Sequence, residues 1–343
     1  MAARCEAAGR SNNEDNFQLT DDLAGGNWGF ITDKEILLGE KGALLVVCDG
    51  MGGMNAGATA SDIAVNTIKE YFSSDRLTPQ VTATSESIET YIKNAIIAAD
   101  SKIKECGQLN SECEGMGSTI VLAWIVGENI HVGWCGDSRA YRFNPAFGLE
   151  RLTRDHSFVQ ELVDSGKLSE GLAFDHPDNN IITRSLGDTR SVAKPDVKSF
   201  SLCNDDVILL CSDGLCGVLR DSEIESVIAE NSDSMENCRK ALWTASEKAG
   251  WTDNVTVALC RIISGAITVK KPEPESLPQG NAVTETKKLK PKKLIFILVL
   301  LLIAAAFEAG HFIIKGSWWM PDIDYNLYLN KIKELFTSTP HNS

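Results

Sequence analysis

Four aspartates stand where runs of apolar residues give out. Asp49 follows LLVVC and opens DGMGG, and Asp213 follows VILLCS and opens DGLCG. Asp253 precedes a last apolar run in WTDNVTVAL, and Asp137 ends HVGWCGDSR. A strand carries its terminal side chain to the rim of the core, and a following glycine lets the chain turn without a Cβ clash. A single Asp-Gly after a strand is usually no more than a turn. Four such acids, two of them in near-identical settings, point instead to one shared site. Carboxylates gathered together cannot all stay ionised without a cation. Oxygen-only ligands suit hard ions such as Mg²⁺ or Mn²⁺ rather than zinc. None of the five histidines neighbours an acid at metal-ligand spacing, and His156 and His176 fall in an expected surface excursion, where they are read as solvated.

The elements that must hold these acids are legible as branched or apolar runs bounded by Gly and Asp. Strands are predicted at Ala43–Cys48, Ser118–Val126, Ile130–Trp134, Arg139–Phe143, Val207–Cys211 and Val255–Ile262. Helical spacing is present in Ala58–Phe72, Ser85–Cys106, Asp221–Ala229 and Met235–Ala249. Strands come in adjacent groups separated by paired helices, without strict β–α–β alternation. That order favours antiparallel sheets covered by helices, an α+β architecture, over a doubly wound parallel sheet. No internal repeat is present.

The chain has 343 residues and a net charge of −14, which argues against broad electrostatic binding to nucleic acid. The ten cysteines form no CxxC pair, and several close apolar runs, so they read as small buried hydrophobes in a reducing compartment. MAARCEAAGR has no apolar h-region, so no secretory signal peptide is expected. Composition changes near residue 264. Residues 265–293, rich in Pro, Lys, Glu and Thr, read as a flexible linker. Leu294–Ile314 is long enough, at about 1.5 Å per residue, to cross about 30 Å of hydrocarbon. Glu308 and His311 interrupt its far end, where they share a helix face and can pair. Leu294–Phe307 has no polar stripe to turn towards water, so a single-pass span is the reading. Five lysines at 287, 288, 290, 292 and 293 place residues 1–264 on the cytoplasmic side, and 315–343 become a short tail beyond the membrane.

RSNNEDN (10–16), DGMGG (49–53), GDSRAY (136–141), TRSLGD (183–188), SDG (212–214) and DNVTV (253–257) occur in the order found in the metal-dependent protein phosphatases. Over residues 8–264 the chain resembles this family, the type 2C Ser/Thr phosphatases (PPM), and its bacterial members in particular. The resemblance implies an α-β-β-α sandwich of two antiparallel sheets flanked by helix pairs, with a metal site at one end. It implies that Asp49 bridges two ions of Mn²⁺ or Mg²⁺, with the Gly50 carbonyl on one. Asp213 and Asp253 match ligands of the first ion, and Glu14 and Asp15 match acids around the second. Asp137 and Asp213 match a third-metal site. Arg10 matches the arginine that grips the substrate phosphate, a task its planar fork suits. The implied reaction is direct hydrolysis of phosphoserine or phosphothreonine in proteins by a metal-bridged hydroxide, without a phosphoenzyme. Its substrates would be phosphorylated proteins, including a Ser/Thr kinase or that kinase's own targets, reached from the cytoplasmic face of a membrane.

Two features depart from or extend this pattern. Met51 stands where some members have a histidine proposed to protonate the leaving group, and a thioether donates no proton. Residues 144–182 resemble the family's flap, and 19–42 form an insertion between the first two motifs. No CxxxxxR sequence is present, which excludes a cysteine-loop phosphatase. Two alternatives are a catalytically silent binding module on the same fold and a hydrolase of small phosphoesters. The first is expected to lack an acid at the bridging or SDG position, and Asp49, Asp213 and Asp253 are all present.

Overall fold

A computed structural model describes residues 1–29, 35–52 and 56–266. The chain divides into two units, Met1–Glu275 and Ser276–Ser343. Every described element belongs to the first. Most of the predicted linker and the apolar run 294–314 lie outside the described residues. Among the described residues no helix is long and apolar enough to cross a membrane.

The strands, in chain order, are β1 (Ala2–Glu6), β2 (Asp15–Thr20), β3 (Ala43–Met51), β4 (Gly117–Ser118), β5 (Ile120–Val126), β6 (Asn129–Cys135), β7 (Arg139–Asn144), β8 (Gly148–Arg151), β9 (Asp196–Ser201), β10 (Val207–Cys211) and β11 (Val255–Arg261). The helices are α1 (Ala56–Tyr71), α2 (Ser85–Leu109), α3 (Phe158–Asp164), α4 (Glu170–Ala173), α5 (Asp213–Cys216), α6 (Asp221–Asn231) and α7 (Met235–Gly250). One sheet runs β1-β11-β10-β7-β8 and the other β2-β3-β5-β6-β9, with β4 paired to the end of β3. Every named pairing is antiparallel.

The central strands lack polar alternation because both of their faces are covered. Along β3, Leu44, Val46 and Cys48 pack under α1 and α2, while Ala43, Leu45 and Val47 face the other sheet. The second sheet mirrors this. Val207, Leu209 and Cys211 of β10 pack towards α6 and α7, while Ile208 and Leu210 face the first sheet. The result is four layers, helix–sheet–sheet–helix. Full burial of each such aliphatic side chain is worth about 1.5–3 kcal/mol. Helix α1 turns Ala60, Ala64 and Ile68 inward at i, i+4, i+8 spacing. Thr84 caps α2 and shares a capping box with Ser87.

Four strands escape the apolar-run criterion. β9 (DVKSFS) and β8 (GLER) have no buried residue and sit at sheet edges, and β1 (AARCE) is short and half-charged. β2 begins at Asp15, inside the polar motif RSNNEDN, which hid its strand character. One reading from sequence is overturned. His156 is not solvated but 5% exposed, ring-stacked on Trp134 and bonded through both nitrogens, to the Gly136 N–H (3.2 Å) and to Asp196 (3.0 Å).

Candidate metal centre

Antiparallel pairing brings the acids to one end of the sandwich. Asp15 opens β2 directly opposite Asp49, near the end of β3. Asp213 opens α5 just after β10, and Asp253 lies two residues before β11, whose start pairs beside the end of β10. Asp137 occupies the turn between β6 and β7. Hydroxyls tie these positions together across the two sheets. Ser212 Oγ and Thr256 Oγ1 both donate to Asp15 Oδ2, at 2.6 and 2.7 Å. The Asp49 N–H donates to Thr119 Oγ1 (3.1 Å), which also bonds Ser138 Oγ beside Asp137 (2.7 Å).

The backbone around these acids leaves no room for larger residues. A Cβ on Gly50 would lie 2.1 Å from the Gly57 carbonyl oxygen, and the Gly50 N–H donates to the Glu14 carbonyl (3.1 Å). A Cβ on Gly57 would lie 2.7 Å from the Glu14 carboxyl carbon, so that carboxyl rests over the first turn of α1. The positive end of the helix dipole favours a carboxylate there.

Electrostatics mark the cluster as strained by its own charge. Burial and then the field of the neighbouring carboxylates push Asp49 well above the usual carboxylate range. The neighbours are Asp15, Asp213, Asp137 and Asp253. Asp137 is raised likewise, by burial and then Asp213. Asp213 is raised to about 6, by burial and the adjacent Asp253. Burial raises Asp15 to about 7, against the two hydroxyls that favour its ionised form. Desolvation also raises Glu14.

Three buried carboxylate oxygens, Asp15 Oδ1, Asp137 Oδ1 and Asp213 Oδ1, have no hydrogen-bond partner. A buried acceptor left unpaired is costly, and several in one place call for a cation. The donor set, all oxygen, fits a hard divalent ion. Among the described residues no three His, Cys, Asp or Glu side chains close around a single point as a finished cage. The acids share a field while their side chains are partly engaged elsewhere. Asp253 Oδ2 is drawn to Arg10 Nη2 (2.6 Å), and its Oδ1 accepts the Asn254 N–H (2.9 Å).

Arg10 extends from the loop before β2, and its Nε donates to the Thr252 carbonyl (3.0 Å). Its side chain is 57% exposed and borders a cleft of about 600 Å³ together with Asp137, Asp213 and Asp253. The opposite wall comes from the predicted flap, through Val159, Val163 and Phe174, and from Arg220 ahead of α6. Arg220 stacks on Phe174 (4.3 Å) and pairs with Asp175 (2.7 Å). Met51 ends β3 in register with Gly117 and offers no titratable group.

Sequence reasoning singled out the acids and Arg10 but passed over the residues that hold them. Ser212 stands inside SDG, and Asn254 and Thr256 inside DNVTV, so the signal was present as motif neighbours without a stated task. Ser138 and Arg139 likewise stand inside GDSRAY, whereas Thr119 and Asp155, which pairs with Arg139 (2.7 Å), carried no sequence signal.

Residues 33–255 match the family model described as protein phosphatase 2C. The chain is 32% identical over 222 residues to the serine/threonine phosphatase stp of Listeria innocua, spanning 64% of this chain and 84% of that protein. It is also 32% identical over 222 residues to protein phosphatase PhpP of Streptococcus pneumoniae, spanning 63% and 84%. Among solved structures, serine/threonine phosphatase Stp1 from Staphylococcus aureus superposes with a TM-score of 0.65 at 30% identity, covering 77% of this chain and 94% of that one. The catalytic domain of the serine/threonine protein phosphatase PstP, in complex with two manganese ions, superposes at 0.60 and 26% identity, covering 77% and 97%.

Proposed function

The chain belongs to the protein phosphatase 2C family and is a serine/threonine protein phosphatase, and from that premise we propose how its own residues divide the work. Metal dependence is expected of the family, and the PstP structure holds two manganese ions. In this chain Asp49, Asp213 and Asp253 would hold the first of two divalent ions, and Asp49 would also serve the second, with the Gly50 carbonyl on one of the two. Glu14 and Asp15 would serve the second, and Asp137 with Asp213 a third. When bound, Mn²⁺ or Mg²⁺ would supply Lewis acidity to a water and charge to offset that gathering on the phosphoryl oxygens.

The remaining tasks fall to the protein. Arg10 grips the substrate phosphate with guanidinium N–H groups at the cleft edge, and Asp253 and the Thr252 carbonyl orient it. The flap wall of the cleft receives the peptide flanking the phosphoresidue. Met51 offers no proton to the leaving alkoxide, so that task falls to a water at the site or to another group. The observation that supports metal dependence in this chain is the set of unpartnered oxygens on Asp15, Asp137 and Asp213. Hydrolysis of a phosphothreonine peptide should require Mn²⁺ or Mg²⁺ and be lost in chelator. Turnover that survives exhaustive chelation overturns it.

We further propose, from sequence alone, that residues 1–264 are the catalytic domain, joined by the linker 265–293 to a membrane span at 294–314, with the domain cytoplasmic and 315–343 beyond the membrane. The substrates in this reading are phosphoproteins at that membrane, a Ser/Thr kinase or its targets among them.

A further inference from the structure

The loop that carries Arg10 is held from the far end of the chain by one side chain. Asn254 is 4% exposed and uses its whole amide on that loop. Its Nδ2 donates to the carbonyls of Ala7 (3.0 Å) and Asn12 (2.7 Å), and its Oδ1 accepts the Glu14 N–H (2.8 Å). These three contacts bracket Arg10 on both sides. Between them the backbone turns tightly. Ala8 has φ +48°, a left-handed conformation that residues with a Cβ seldom adopt. The Ala7 carbonyl that precedes it accepts a second bond, from the Arg10 N–H (2.9 Å). Gly9 lies so close to the neighbouring loop that a Cβ would meet the Trp251 carbonyl oxygen at 2.3 Å. Residues 7–14 therefore have one way to lie against residues 251–254.

We propose that Asn254 is a positioning residue for phosphate recognition, fixing the root of Arg10 so that its guanidinium spans Asp253 and the cleft, and acting on substrate only through Arg10. This rests on the reading of Arg10 as the phosphate-gripping side chain. The chemistry selects asparagine. The loop presents two carbonyls and one N–H, and only a carboxamide supplies two donors and one acceptor at that reach. Asp would turn an acceptor towards both carbonyls. The dipeptide Asp253–Asn254 thus supplies both the carboxylate that orients the guanidinium and the amide that anchors its backbone.

The test is a double-mutant cycle on the full-length protein, with a phosphothreonine peptide and saturating Mn²⁺, on wild type, Arg10→Ala, Asn254→Ala and the double variant. Asn254→Ala should raise KM by between about tenfold and 100-fold, the scale of a misplaced binding group, with a smaller change in kcat. In the Arg10→Ala background the same change should add no more than about twofold. If the two effects multiply while Arg10→Ala alone raises KM, Asn254 acts elsewhere and its assignment falls. If Arg10→Ala leaves KM unchanged, the reading of Arg10 itself falls. Asn254→Ser, uncharged and too short to span both carbonyls and the Glu14 N–H, stands in should the alanine variant fail to fold. Hydrogen exchange separates loosening from unfolding, because exchange should rise over residues 7–15 while β10 and β11 stay protected. Faster exchange in that loop with an unchanged KM overturns the proposal.

Discussion

Replacing Asp15 by Asn should make the metal-free protein more stable while weakening its response to metal. Asp15 is buried, and its carboxyl is raised from an ordinary 3.8 to about 7. The folded state therefore keeps this proton to a higher pH than the unfolded chain does. Stability is fully present below about pH 4 and is lost as pH rises towards about 7. The interval between 3.8 and about 7, at about 1.36 kcal/mol per pH unit, corresponds to about 4 kcal/mol of cost at pH 8. It is an upper figure, because neighbouring acids compete for the same protons. An Asn carboxamide oxygen can accept from Ser212 and Thr256 as Oδ2 does and carries no charge into the core. In chelator at pH 8 the variant should gain up to about 4 kcal/mol, a rise in Tm of roughly 10 °C for a domain of this size. At pH 5 the advantage should shrink to about 1.5 kcal/mol, because the wild-type carboxyl is then protonated in the folded state. Added Mn²⁺ should raise the Tm of wild type more than that of the variant. Thermal unfolding at the two pH values, with chelator and with Mn²⁺, reads all of this. A variant no more stable than wild type in chelator at pH 8 would refute the reasoning.

Asp49→Asn, Asp213→Asn and Asp253→Asn should each cut phosphopeptide turnover by at least about 100-fold at limiting Mn²⁺ while far-UV circular dichroism is unchanged; near-wild-type turnover in any one removes it from the ligand set. Gly50→Ala should destabilise by about 3 kcal/mol or more, since its Cβ would meet backbone oxygens at 2.1 and 2.6 Å, and urea unfolding gives the value. His156 is held below the ordinary histidine range, chiefly by burial, with the Gly136 N–H occupying Nδ1. A lowered histidine loses stability as pH falls through about 6.5, so the urea midpoint should drop between pH 7.5 and 5.5 by less in His156→Gln than in wild type. Truncation after residue 264 should release the protein from membranes and leave kcat on a soluble phosphopeptide unchanged, and a full-length chain that fractionates as soluble would end the anchor reading.

The central strands β3, β10 and β11 were legible because burial on both faces writes itself as an unbroken apolar run, and an acid at the end of such a run is conspicuous. That is why Asp49, Asp213 and Asp253 stood out as residues before any fold was known, and why six ordered motifs were enough to suggest the family. The edge strands β8 and β9 were not legible, because strands that are only partly covered, with Leu149, Val197 and Phe200 as their few packed hydrophobics, carry too weak a hydrophobic signature. His156 reads in sequence like any polar residue of a surface loop, and only the packing of Trp134 and the Gly136 turn around it made it a buried one. The same holds for the residues that set the site. Ser212 and Thr256 reach Asp15 across 197 and 241 positions, and Asn254 reaches Ala7 across 247. Local sequence determines which residues finish a strand and what chemistry they carry. Which of them face one another depends on how two sheets stack and in what register, and that is decided by long-range burial and strand pairing, to which no local pattern in the chain corresponds.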